Sequence, residues 1–180
     1  MNVLYIHGAN SVFDSNSERI KNMKLDPNIN EVYGFNHSFK ISLDDIIENA
    51  KTILLEKDVD VVVGCSLGGY LASIIGGVFS LPAIVINPVY DIKLIINKYA
   101  VSYKFANSVK NVKFNHVPIM GVYLGLQDSV INPIESKKHL IELGVSPNDI
   151  IEIEGDHRLL DNPNLNASIV KCHRQTQFSG

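Results

Sequence analysis

The sequence predicts an α/β protein, with a mostly parallel central sheet and helices on both faces. Three observations lead there. Short β-branched apolar runs recur along the chain, each run closes on glycine, asparagine or a polar loop, and stretches of helical periodicity separate them. Strands alternating with helices imply βαβ units, and strands covered on both faces read as unbroken apolar runs. With 180 residues, 46% of them hydrophobic, the chain fits one domain with a buried core, so residues 1–180 read as a single unit.

The first strand is Val3-Leu4-Tyr5-Ile6, closed by His7-Gly8. Polar residues follow, with one short helix expected around Ser17 to Lys24, and Val32-Tyr33-Gly34-Phe35 reads as a second strand. Leu43, Ile46, Ile47, Ala50, Ile53 and Leu54 mark one face of an amphipathic helix. Ser42 is its N-cap candidate, and Asp44 and Asp45 lie in the first turn, where the helix dipole favours acids. A strand over Val59 to Val63, a turn at Gly64 to Leu67 and a helix over Leu67 to Phe79 come next. The fourth strand is Ala83-Ile84-Val85-Ile86, ended by Asn87-Pro88.

Periodicity weakens between Val89 and Val117, with helical hints from Ile92 to Tyr99. That interval is too short for a large lid. Met120 to Leu124 reads as a strand, Ile134 to Leu143 as a helix, Ile150 to Ile153 as the last strand, and Asn164 to His173 as a final helix. Residues 174–180 read as a frayed tail.

Composition excludes several classes. A net charge of −3 offers no footprint for nucleic acid or an anionic membrane. The interval Val61 to Tyr90 carries no charge, but Gly-Gly pairs, Pro82 and Asn87 break it, so it reads as buried strands and helix rather than a membrane span. Two scattered cysteines, Cys65 and Cys172, suit a reducing compartment, and with no signal segment the expected location is cytoplasmic. No motif for a metal or a cofactor is present, and the sequence does not address oligomeric state.

In parallel sheets of this kind ligands bind at the carboxyl ends of the strands. After the third strand stands Gly64-Cys65-Ser66-Leu67-Gly68, a G-x-S-x-G pentapeptide; after the fifth, Gly125-Leu126-Gln127-Asp128; after the last, Gly155-Asp156-His157. Ser66, Asp128 and His157 therefore follow the chain order of α/β-hydrolases. A sharp strand-to-helix turn exposes the serine hydroxyl, and the flanking glycines remove side chains that would clash. The same corner aims the Leu67 amide at a developing oxyanion, and the loop after the first strand should add a second amide, that of Ala9.

Each assignment has a blander rival. An Asp in a loop after a strand often serves only to bond nearby backbone. Among histidines after Asp128, His139 falls inside a helix and His173 near a helix end, whereas His157 directly follows a strand, where a general base must stand. His7 reads as structural; His37 and His116 could line the pocket, but a surface role is favoured for both. Cys65 adjoins Ser66, but an elbow exposes only its central residue, so Cys65 should point into the core.

The blocks HGANS, GCSLGGYLA and LPAIVINPV resemble the YqiA type of small esterase-like proteins, a family of compact α/β-hydrolases. The resemblance spans nearly the whole chain and is most specific from Val61 to Val89. It implies a compact α/β-hydrolase fold with Ser66 as nucleophile, Asp128 as acid and His157 as base, acting on small acyl esters or thioesters. One departure lies at the histidine. The family's loop usually reads glycine, glycine, asparagine, histidine, with an aromatic two residues on. Here it reads Gly155-Asp156-His157-Arg158-Leu159, one residue tighter and more charged. The stretch SVFDSNSERI resembles a sister branch in which some members lack the elbow serine, which this chain retains.

The expected function is hydrolysis of a small acyl ester through a serine ester, with thioester cleavage as a variant. The alternative from another class is a catalytically silent α/β-hydrolase fold used as a binding module.

Overall fold

Valine and isoleucine are stiff at χ1 and pack well on a pleated surface, and runs of them form a sheet here. The computed structural model of the chain describes residues 1–91, 96, 101–109, 112 and 119–159. Its strands are β1 (Asn2–Ile6), β2 (Glu31–Tyr33), β3 (Val61–Cys65), β4 (Ala83–Ile86), β5 (Ile119–Gly125) and β6 (Ile150–Ile153). The helices are α1 (Glu18–Lys24), α2 (Leu43–Lys57), α3 (Leu67–Phe79), α4 (Tyr103–Val109) and α5 (Pro133–Glu142), with a 3-10 turn at Pro147–Asp149. The helix expected at 164–173, the tail beyond it and nearly all of segment 92–99 lie outside the described residues.

All six strands are parallel, in the order β2-β1-β3-β4-β5-β6. This order dictates where the helices go. Crossovers between parallel strands are right-handed, so the face a helix covers depends on the direction the chain moves along the sheet. From β1 to β2 it moves one way, and α1 covers one face with Ile20 and Met23 against Val3, Tyr5, Val61 and Val63. From β2 onward it moves the other way, so α2, α3, α4 and α5 share the opposite face, over Leu4, Ile6, Val62, Val85 and Val122. The reversal falls between β1 and β3, so the loops leaving those strands meet there.

Local signals carry the element boundaries. Ser42 caps α2, its hydroxyl accepting from Asp45 N while the Asp45 carboxylate accepts from Ser42 N, a closed capping box. Asn132 caps α5 by accepting from the amides of Ile134 and Glu135, and Pro133 takes the first helical position. β3 departs from expectation: it starts two residues later and runs through Gly64 and Cys65. Both of its neighbours hold it that far, since Gly64 pairs with Ile6 of β1 and Cys65 with Ile86 of β4. Its three valines are fully buried, each contributing about 1.5–3 kcal/mol relative to exposure.

Two glycines make the junction of β1, β3 and α3 possible. A Cβ on Gly64 would lie 2.1 Å from the Gly68 carbonyl oxygen, and one on Gly68 would lie 2.2 Å from that of Ile6. Neither neighbour is a flexible side chain, so backbone would have to move. Gly68→Ala should therefore destabilise the fold by about 3 kcal/mol, the upper range for overpacking. A urea midpoint unchanged from that of the unmodified protein would refute the close packing of β1 on α3.

Candidate active site

At the end of β3 the chain turns straight into α3, and Ser66 occupies the corner with φ 58° and ψ −125°. A non-glycine residue at such angles costs on the order of 1–3 kcal/mol and persists only where its surroundings over-determine it. They do so here. The Ser66 amide donates to the Ile86 carbonyl, while its own carbonyl accepts from Gly69, Tyr70 and Val89. The loop after β1 lies directly against the corner, where a Cβ on Gly8 would fall 3.3 Å from Ser66 Cβ and 3.8 Å from Oγ. Leu67 opens α3, and among the described residues neither its amide nor that of Ala9 donates to a protein acceptor. Leu67 follows Ser66 directly and Ala9 follows Gly8, so both unpaired donors belong to segments that meet at the corner.

Asp128 and His157 come together. His157 Nδ1 and Asp128 Oδ2 are 2.7 Å apart, with the carboxylate buried and the ring partly open. The other carboxylate oxygen, Oδ1, accepts from the amides of Val130 and Ile131 at 2.7 and 2.9 Å. Burial alone would push the Asp128 carboxyl up, but the bonds from His157, Ile131 and Val130 outweigh it and hold the group below its ordinary value. The ionised acid fixes the ring with Nδ1 protonated, leaving Nε2 free to take a proton. Among the described residues no hydrogen bond joins Ser66 Oγ to that ring, so Asp128 and His157 are paired and the link to serine is not closed.

The histidine loop is held from beneath. The Asn87 carboxamide donates to the carbonyls of Asp156 and His157, Cys65 Sγ lies 3.8 Å from the His157 carbonyl, and Arg19 Nη2 donates to that of Arg158. Asp156 Oδ1 accepts from the amides of Arg158 and Leu159. Cys65 points into the α1 face, and burial pushes its thiol up, away from the reactive thiolate. His139 is exposed on α5; His116 and His173 lie outside the described residues. No group of three or more His, Cys, Asp or Glu side chains among the described residues is placed to hold a metal ion.

The profile of the uncharacterised protein family UPF0227, the YqiA-like group, matches residues 2–161. The chain belongs to that family. No curated protein matches it. Solved structures share the fold at low identity. A monoacylglycerol lipase of Paleococcus ferrophilus superposes with a TM-score of 0.66 at 16% identity, over 96% of this chain and 93% of that one. The esterase domain of a Rhodothermus marinus protein gives 0.69 at 14% identity, over 99% and 85%. An α/β hydrolase from a lagoon-sediment metagenome gives 0.65 at 14% identity, over 98% and 91%. The fold is that of the α/β hydrolases.

One sequence expectation needs correction. His37 is not a surface residue: its ring stacks on His7 with centroids 3.8 Å apart and planes 7° from parallel. The bonds assign both tautomers. His7 Nε2 accepts from the His37 amide, so its proton sits on Nδ1 and bonds the Gly8 carbonyl. His37 Nε2 donates to the His7 carbonyl, leaving its Nδ1 buried without a partner. Two neutral rings thus brace the start of the Gly8–Ala9 loop. Burial, and then the neighbouring His7, pushes His37 down from 6.5 to about 3; burial lowers His7 as well.

Two outcomes follow from this geometry. Ser66→Gly relieves the left-handed strain that Ser66→Ala retains, so the glycine variant should be more stable by about 1 kcal/mol. Equal thermal midpoints for the pair would refute strain at the elbow. For acid stability, the unfolded chain binds protons on both histidines below about pH 6.5 while the folded chain does not. Stability should therefore fall as pH drops from about 7 to about 5, before Asp128 contributes, since a depressed carboxyl loses its contribution only below its ordinary value of 3.8. Urea midpoints at the two pH values measure it, and His37→Gln should flatten the slope.

Proposed function

We propose that the chain is a serine hydrolase that cleaves small acyl esters or thioesters through an acyl-enzyme. The observation that carries this reading is the strained Ser66 corner facing free amide donors in the same molecule that holds an ionised Asp128 against His157. In the proposed cycle His157 Nε2 takes the Ser66 proton as Oγ attacks the acyl carbon. Asp128 holds the ring in the required tautomer and balances the imidazolium that forms. The amides of Leu67 and Ala9 bond the oxyanion, each worth roughly a hundred- to a thousand-fold in rate. The imidazolium then protonates the leaving alcohol or thiol. Water, deprotonated by the same ring, releases the acid and restores the serine. Catalytic hydrogen bonds commonly tighten only when substrate arrives, which accounts for the open Ser66–His157 link.

The lipase and esterase named among the structural neighbours favour ester chemistry for this chain too. The interval from Val89 to Val117 is too short for a large lid, which suits small acyl groups, and the low net charge gives no reason to expect a polymeric anion as substrate.

A fluorophosphonate probe should label the protein on Ser66 and nowhere else. Ser66→Ala should abolish labelling, and Asp128→Asn, which keeps the shape but favours the wrong tautomer, should slow nitrophenyl acetate turnover by on the order of ten-thousand-fold. Folded protein that never labels would overturn the hydrolase reading in favour of a binding role. Turnover of acyl-thioesters against nitrophenyl esters ranks the two substrate types.

A further inference from the structure

The acid and the base of the proposed pair sit on loops from different strands, so something must fix their separation. We infer that Asn87 does this, as a positioning residue that spans both loops with one carboxamide. The inference rests on the hydrolase reading for its catalytic meaning, but the clamp itself is visible in the bonds.

Asn87 ends β4 with φ 43°, in the left-handed region that asparagine tolerates better than most residues. It is fully buried. Oδ1 accepts from the amide of Gly125 at 2.7 Å, at the root of the loop that carries Asp128. Nδ2 uses both its protons on the other loop, donating to Asp156 O at 3.1 Å and to His157 O at 2.9 Å. The reversed amide would set Oδ1 against two carbonyls and Nδ2 against an N–H, so this orientation alone satisfies the network. The Asn87 amide also donates to the Tyr123 carbonyl, tying the residue to β5.

Asn87 does not work against a loose background. Gly125 lets the two loops touch, because a Cβ there would lie 2.6 Å from Asp156 O and 2.7 Å from Gly155 O. The amides of Leu126 and Gln127 then donate to the carbonyls of Ile153 and Gly155. These backbone bonds hold the loops side by side, but none of them reaches residue 157. Cys65 Sγ also meets the His157 carbonyl, at 3.8 Å, as a weak sulfur donor. Asn87 is the strong donor to that carbonyl and also binds the acid loop. By bonding both, it sets the height of the His157 ring above the sheet.

The test uses two variants and two readouts. Asn87→Gly accepts the same backbone angles without the carboxamide; Asn87→Asp keeps the size and the acceptor for Gly125 but turns an oxygen toward the two carbonyls. A misplacement of about 1 Å can cost on the order of a hundredfold. Both variants should therefore show a maximal fluorophosphonate labelling rate reduced about ten- to a hundredfold at unchanged probe affinity. In proton NMR, the downfield Nδ1–H signal of the His157–Asp128 bond should broaden or shift in both. Folded variants with labelling within twofold of the parent and an unchanged downfield signal overturn the inference. If the parent protein never labels, the hydrolase reading fails separately, and the NMR signal still decides whether Asn87 holds the pair. Should neither variant fold, the unmodified protein decides: both Asn87 carboxamide protons should be protected from solvent exchange, and exchange at the rate of a free side-chain amide overturns the clamp.

Discussion

Everything at the carboxyl end of this sheet depends on the carbonyl of Ser66. Three amides, from Gly69, Tyr70 and Val89, converge on it. Two belong to the first turn of α3 and one to the chain leaving β4. They pin the peptide after Ser66 while the sheet pins the peptide before it through the Ile86 carbonyl. With both flanking peptides fixed, the residue between them has no choice of φ and ψ, and the strain cannot relax. The hydroxyl is thereby presented at the same point regardless of what its own side chain would prefer. The glycines around the corner follow from the same constraint, since a backbone this tightly gathered leaves no room for Cβ at positions 64 and 68.

The polar groups around the corner divide into ionised and neutral sets, and burial alone does not predict which is which. Asp128 is well buried, yet three donors keep it charged. His7 and His37 stay neutral: burial pushes both down, and their amide and carbonyl partners fix complementary tautomers. A proton on His7 Nε2 would meet the His37 N–H, and one on His37 Nδ1 would be buried without an acceptor. The stacked pair is therefore suited to bracing a loop and unsuited to proton transfer, which leaves His157 as the base of the proposed cycle.

How much of this was legible in the sequence follows from how local each signal is. The elbow was legible because its causes lie within one stretch: three valines, a serine between glycines, and a helix that opens at once. The capping box at Ser42 and Asp45 is equally local. α4 was not legible, because its two turns bury only Phe105, Ala106 and Val109, too few positions for a period to register. His37 looked like a polar loop residue because its burial comes from a ring thirty positions away. Asn87 looked like a strand terminator before proline. Its partners stand 38, 69 and 70 residues downstream, and nothing in the neighbouring letters points to them.

The same contrast applies to the histidine loop. A longer loop can reach its position by many paths and needs its own residues to select one. This loop instead borrows its geometry: from the β5–β6 backbone bonds, from Asp156 accepting the next two amides, and from buried donors on β3, β4 and α1 beneath its carbonyls. Every carbonyl from Asp156 to Arg158 is taken, so the backbone under His157 has little freedom left. Precision at His157 thus comes from the sheet's own strand ends rather than from the loop sequence alone.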